Sequence, residues 1–194
     1  RIAMDRERPL NIVQWQENLQ LLLDNPQIER INAELGPGAN PGESILRADV
    51  TEARRYRLGM GLANNRAPSV GPIRAEIYGT ANNLLGVADT LGLRLGKTEG
   101  LDDVTLGYAV PVSNRDTLLI LRWDKNDSTV IEAPFRSIDI KSKSETREIG
   151  LSHPFYRTLQ RELRAGLTLA TRSNETFLLG MPFSFSPGVT DGKS

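Results

Sequence analysis

Few residues in this chain could do covalent chemistry, and their spacing argues against it. The 194 residues include no cysteine and a single histidine, His153. That removes thiolate metal sites, disulfides and cysteine nucleophiles together, and no serine and aspartate stand at a recognisable triad spacing around the histidine. His153 is expected to be a turn residue beside Pro154. Gly59-Met60-Gly61 opens a dinucleotide fingerprint, but Asn64 stands where the third glycine belongs and no helical pattern follows. Close backbone approach in a curved strand is the better reason for those glycines. Asp102-Asp103 and Asp124-Lys125-Asn126-Asp127 lack the glycine and terminal glutamate of a calcium loop, so they read as solvated loop charge. No catalytic residue, metal or cofactor is expected. What stands out instead is basic: Arg55, Arg57, Arg74 and Arg94, and further on Arg164, occur in alternation with glycine or, as at Glu76, with acid two positions away.

These side chains need elements to hold them, and the periodicity changes once along the chain. The first fifty or so residues read as a small α+β unit. Asn11 and Gln14 form a capping box, Ile12, Trp15, Leu19, Leu22 and Leu23 make a helical stripe, and Asn25-Pro26 ends it, because helix is disfavoured before proline. Ile31, Ala33 and Leu35, then Leu46, Ala48 and Val50, alternate with polar residues on either side of a loop-like Gly36–Glu43, which predicts a hairpin. Its strands offer edges to which an extended chain could add, with Arg30, Asn32, Ile45 and Arg47 as contacts. Ordinary pairing inside the unit accounts for the same pattern.

From Ala53 onward apolar residues recur at every second position. Seven strands are predicted, near Tyr56–Leu62, Ile73–Tyr78, Thr90–Gly96, Val104–Val110, Leu119–Trp123, Arg136–Leu151 and Leu163–Arg172, with no helical pattern between them. A soluble antiparallel domain gives the same alternation. Three details favour a membrane barrel instead. The polar face carries Gly and Arg rather than Lys, Glu and Thr. Polar loops (Asn64–Gly71, Lys97–Asp103, Asp124–Pro134, Ser173 onward) alternate with tight or apolar turns (Asn82–Asp89, Pro111–Asp116, His153–Gln160). Tyr56, Tyr108, Phe155 and Tyr156 lie near the turns and Trp123 near the loops, as in the two aromatic girdles of an outer-membrane barrel.

The composition is compatible with this. With 24 basic and 24 acidic side chains the net charge is zero, which argues against a nucleic-acid partner. The longest charge-free stretch, Thr176–Thr190, is short and broken by two prolines, so no helical membrane span is expected. The chain opens on Arg1 without a signal-like segment and reads as a stretch of a longer or processed protein.

The turns also carry a resemblance. Leu35-Gly-Pro-Gly-Ala-Asn-Pro-Gly-Glu-Ser-Ile-Leu46 resembles the hairpin closing the second periplasmic polypeptide-transport (POTRA) domain of two-partner secretion transporters of the ShlB/FhaC type. Asn64-Asn65, Gly71, Asn82-Asn83-Leu84-Leu85-Gly86-Val87-Ala88-Asp89, Tyr108-Ala-Val-Pro111 and Ser152-His-Pro154 resemble the opening strands and turns of their barrel, in the expected order. The resemblance implies a mainly β fold, with residues 1–52 the periplasmic C-terminal part of a POTRA domain and 53–194 an open sheet of about seven strands from an antiparallel transmembrane barrel. It implies an outer-membrane location, contact with outer-membrane lipid, and translocation of an unfolded partner exoprotein of adhesin or haemolysin type. Arg55, Arg57, Arg74, Glu76, Arg94 and Arg164 would then line the lumen, either holding water and a passing chain or simply solvating the interior and pairing with one another. An assembly factor of the BamA type and a soluble β-rich binding module are the alternatives.

Overall fold

The computed structural model describes residues 12–23, 25, 27–38 and 44–184. The chain divides into two compact units, residues 1–55 with 154–165, and residues 56–153 with 166–194.

In the first unit, helix α1 spans Ile12–Leu23. Asn25 ends it: its side-chain Oδ1 accepts from the Gln27 amide at 3.0 Å while its own amide donates to the Leu22 carbonyl. The cap at Asn11 lies outside the described residues. Strands β1 (Ile28–Pro37) and β2 (Ser44–Glu52) pair antiparallel. They run further than the alternation suggested, and Gly36-Pro37 belongs to β1 rather than to the loop. Leu35 faces Leu46, Ala33 faces Ala48 and Ile31 faces Val50, so one side of the hairpin is apolar.

The second unit is built on one meander, with β3 (Tyr56–Asn64), β4 (Ile73–Asn82), β5 (Thr90–Lys97), β6 (Leu101–Pro111), β7 (Leu118–Thr129), β8 (Lys141–Arg157), β9 (Glu162–Leu178) and the two-residue β10 (Met181–Pro182), each hydrogen-bonded to the next. The strands form an eight-stranded sheet, β10 being the one beyond the seven expected. The sheet does not close on itself: β3 stands at one edge and β10 at the other.

Several strands are longer than their hydrophobic pattern. Asp102 and Asp103 lie inside β6, Asp124–Asp127 inside β7 and Ser173–Leu178 inside β9, where loops were expected. The physical reason is common to all three. An antiparallel ladder needs only backbone groups, so it continues past the point where one face is apolar, and the period-2 signal disappears once both faces are polar. The opposite error occurs before β8. Residues expected to begin that strand at Arg136 form a 3-10 turn, Phe135–Ile138, closed by left-handed Asp139, and the strand starts at Lys141.

At one end of the sheet the connections are bound together. The Thr98 hydroxyl and the Gly100 amide both donate to the Val70 carbonyl, the Thr129 amide donates to Gly100 at 2.7 Å, and the Ile131 amide donates to Ser69 at 2.8 Å. No described helix is long and apolar enough to cross a membrane, which says nothing of a β-barrel.

Candidate functional site

Directly paired residues of an antiparallel sheet project to the same face, so the register gives both surfaces. One carries, across β3 to β8, the row Arg57–Thr80–Gly92–Gly107–Arg122–Glu148, then Gly59–Tyr78–Arg94–Thr105–Asp124–Thr146, then Gly61–Glu76–Gly96–Asp103–Asn126–Ser144. The other carries Tyr56–Ala81–Leu91–Tyr108–Leu121–Ile149, then Leu58–Gly79–Leu93–Leu106–Trp123–Arg147, then Met60–Ile77–Leu95–Val104–Lys125–Glu145.

Burial runs opposite to that of a soluble domain. Among the described residues no hydrophobic side chain is buried; those that are buried are Arg74, Asn82, Asp89, Thr98, Asp103 and Thr146. Leu58, Met60 and Leu62 are 83%, 86% and 81% exposed. The edge of the apolar surface also moves from strand to strand. It reaches Leu62 and Ile73 on β3 and β4, Leu95 and Val104 on β5 and β6, Trp123 on β7 and only Ile149 on β8, with Lys97, Asp102, Lys125 and Arg147 just beyond. The step from Leu62 on β3 to Ile149 on β8 is about 24 Å across the strands and about 20 Å along them, a boundary inclined near 40°. That is close to the tilt of strands in membrane barrels. Trp123 marks the boundary, its indole Nε1–H donating to Glu145 at 2.7 Å.

Glycine explains how the polar face packs. A Cβ at Gly96 would lie 2.3 Å from Arg74 Nη2 and 2.5 Å from Asp103 Oδ1. The missing side chain lets Arg74 reach across β5 to clamp Asp103 bidentately, Nε at 3.1 Å and Nη2 at 2.6 Å, with Glu76 on its third nitrogen. In the same way a Cβ at Gly59 would meet the Tyr78 ring at 2.5 Å. Arg94 in turn stands over that ring, 5.8 Å from its centroid. Thr105 donates to Asp124 at 2.7 Å, and Arg122 holds the same carboxylate through Nε at 2.6 Å.

The structure brings Arg57, Arg74, Glu76 and Arg94 to this one face. Arg55 precedes the first paired residue of β3 and stands outside the ladder. Arg164, on β9, is paired to Glu162 at 2.7 Å. On the hairpin, Arg30, Asn32, Ile45 and Arg47 share the side opposite Leu35 and Leu46. Sequence reasoning missed Asp103, assigned to loop charge but buried against Arg74; its signal was its parity with Arg94 and Glu76 across the strands. It also misplaced His153, which lies within β8, its Nδ1 sharing a 2.8 Å hydrogen bond with the Thr117 hydroxyl.

At the far end, turn 83–89 is built on Asp89, which is fully buried. Its Oδ1 accepts from the Leu85 amide at 2.9 Å and its Oδ2 from the Tyr108 hydroxyl at 3.1 Å. Burial alone would raise its pKa, but these bonds and the Leu84 and Asp89 backbone donors outweigh it, holding the carboxyl below its ordinary value.

The family described as haemolysin secretion/activation protein ShlB/FhaC/HecB matches residues 42–186, about three quarters of the chain. No curated protein sequence matches. Among solved structures, CdiB from Escherichia coli is similar over 91% of this chain and 34% of its own, at 19% identity and a TM-score of 0.69. BamA from Haemophilus ducreyi lacking POTRA domains 1-3 is similar over 86% of this chain and 30% of its own, at 16% identity and a TM-score of 0.64. The chain thus spans about a third of the length of either, and at these identities the likeness is one of fold: a mainly β, antiparallel architecture shared with both proteins.

Proposed function

Since the chain belongs to the haemolysin secretion/activation family ShlB/FhaC/HecB, we propose that it is part of an outer-membrane translocator that passes a partner exoprotein to the cell surface in two-partner secretion. The observation that carries this reading is the inverted burial of the sheet, apolar residues out and polar residues in, with an apolar edge inclined to the strands. Lipid would cover the Leu58–Leu93–Leu106 side. The Arg57–Arg94–Arg122 side would line a water-filled path in which a passing chain keeps its backbone groups hydrated. The work is capture and passage, not bond-breaking.

Residues 1–52 would be the periplasmic C-terminal part of a POTRA domain, and 53–194 the first strands of the barrel, completed by strands beyond this chain. The unfolded client would be taken up by strand addition. Among the described residues β1 and β2 pair only with each other, so each keeps an outer edge, and Arg30, Asn32, Ile45 and Arg47 are neighbours on one side of the hairpin.

Deleting residues 11–51 in the longer protein tests the division of labour. Secretion of the partner is expected to stop while a heat-modifiable barrel still accumulates in the outer membrane. Secretion at normal levels would remove client capture from this segment.

A further inference from the structure

On the polar face, side chains of the neighbouring strand cover several of the glycines. Gly59 is covered by the Tyr78 ring, Gly96 by the Arg74 guanidinium, and Gly61 touches Glu76. Gly92 and Gly107, directly paired on neighbouring strands, have nothing within 4 Å of where a Cβ would stand. A hollow of about 410 Å³ lies over them, walled by Tyr78, Thr80, Arg94, Thr105 and Arg122. Glycine weakens a strand interior, and two side by side are expected where another backbone approaches closely. A surface needed only to be wet would be better served by threonine or serine.

Around this trough stand three arginines against two carboxylates, Asp124 and Glu148, both of which face Arg122. Arg94 is exposed and, among the described residues, makes no ion pair; its neighbour is the Tyr78 ring. Arg122 lends two nitrogens to Asp124 but keeps 53% of its side chain exposed. Arg57 closes the same row at the β3 edge, exposed and likewise without an ion pair among the described residues. A guanidinium fork is shaped to take a carboxylate through two parallel hydrogen bonds.

We infer that the Gly92–Gly107 trough seats an acidic, extended segment of the exported polypeptide, its backbone against the two glycines and its carboxylates on Arg94 and Arg122. The glycine floor is what distinguishes this seat from a general anion site, because a small anion has no need of bare backbone beneath it. The inference rests on the translocation reading and adds to it the chemistry of the passing chain.

The test uses the full-length protein in planar bilayers, with three peptides of equal length alternating Gly with Glu, Ser or Lys. The Glu peptide is expected to block current at about tenfold lower concentration than the other two, the size of one charge-assisted contact. Arg94→Gln with Arg122→Gln should remove that advantage. Gly107→Leu, which fills the trough without touching a charge, should remove it as well. Equal block by all three peptides in the wild type, or an advantage that survives both variants, overturns the inference. Heat-modifiable migration shows which variants are folded; if Gly107→Leu does not insert, the wild-type peptide series and the arginine variant decide. A photo-crosslinker at Thr105 in secreting cells should reach the exported protein. Products formed only with other segments of the transporter would mean that an internal segment fills the trough, and the inference falls. Loss of the peptide effect with normal dependence of secretion on residues 11–51 removes only this seat. Secretion indifferent to that deletion strikes the capture reading instead, so the two failures are distinguishable.

Discussion

Two ion pairs sit one residue apart near the same end of β5 and β6, on opposite sides of the sheet. On the polar side Arg74 crosses Gly96 to reach Asp103, and both side chains are only 9% exposed. On the other side Lys97 meets Asp102 at the same 2.6 Å, but with 73% and 61% exposure. Distance therefore says nothing about what each contributes. The first pair is shielded because β5 gives up a side chain to let it lie flat against the sheet. The second stands in the open just past the apolar boundary. In this sheet the polar side is where side chains are shielded and paired, and the apolar side is where they stand exposed.

The largest effect is expected from breaking the shielded pair. Arg74→Ala leaves the buried Asp103 with only the more distant Arg66, at 3.9 Å, and should destabilise the full-length barrel by about 3–5 kcal/mol. Gly96→Leu should cost a similar amount, since its side chain would occupy the space of the guanidinium. Combined, the two should cost little more than either alone, because both destroy the same contact. Lys97→Ala should cost less than about 1 kcal/mol. Unfolding in urea from lipid vesicles reads all four; additive losses, or equal losses for Arg74→Ala and Lys97→Ala, would show that the two sides are not different environments.

The next effect sharpens the difference between the faces themselves. Leu93 is 43% exposed and sits in the row Leu58–Gly79–Leu93–Leu106. Leu93→Arg should cost about 2–4 kcal/mol in a bilayer if that row lies at mid-depth. Thr80→Arg, on the polar side, should stay within about 0.5 kcal/mol. Similar costs for the two would mean that water touches both faces, as in a soluble sandwich, and the translocator reading would lose its carrying observation.

How much of this was legible in the sequence follows from where the two faces differ. Between Tyr56 and Val110 one face is apolar and the other polar, so the parity of Leu58, Leu93 and Arg94 is written in the alternation itself. Beyond Lys97, Asp102 and Lys125 both faces are polar, the alternation stops while the hydrogen-bonded ladder continues, and the strand ends could not be read. The Arg74–Asp103 clamp was hidden for a related reason. Its members are 29 residues apart, and only the register across β5 makes them neighbours. Gly96 and Gly59 were visible as unusual residues on a polar face, but the side chains that cover them, Arg74 and Tyr78, belong to a strand whose alignment no local pattern specifies.

The smallest expected effect concerns the turn end and appears only in acid. Asp89 closes turn 83–89, where Asn83, Gly86 and Ala88 all have positive φ, and the Asn83 side chain accepts from the Ala88 amide at 3.0 Å. Ala88 is strained there for its residue type, so the turn depends on the donors gathered by the Asp89 carboxylate. Because the folded pKa is lowered, the unfolded turn takes up a proton at higher pH than the folded one. The stabilisation is therefore complete above the ordinary carboxylate pKa of about 3.9 and is lost as pH falls through the lower folded value. Asp89→Asn keeps the shape but not the charge. Its deficit against wild type, measured as a urea midpoint in the full-length protein, should be constant from pH 8 to about pH 5 and should shrink as pH falls below about 3.9. The loop end, bound by backbone hydrogen bonds around Val70, should show no such dependence, so amide exchange at Gly100 should respond to Asp89→Asn far less than amide exchange at Leu85. A deficit that grew in acid would reverse the sign of the linkage and mean that burial, not hydrogen bonding, dominates at Asp89.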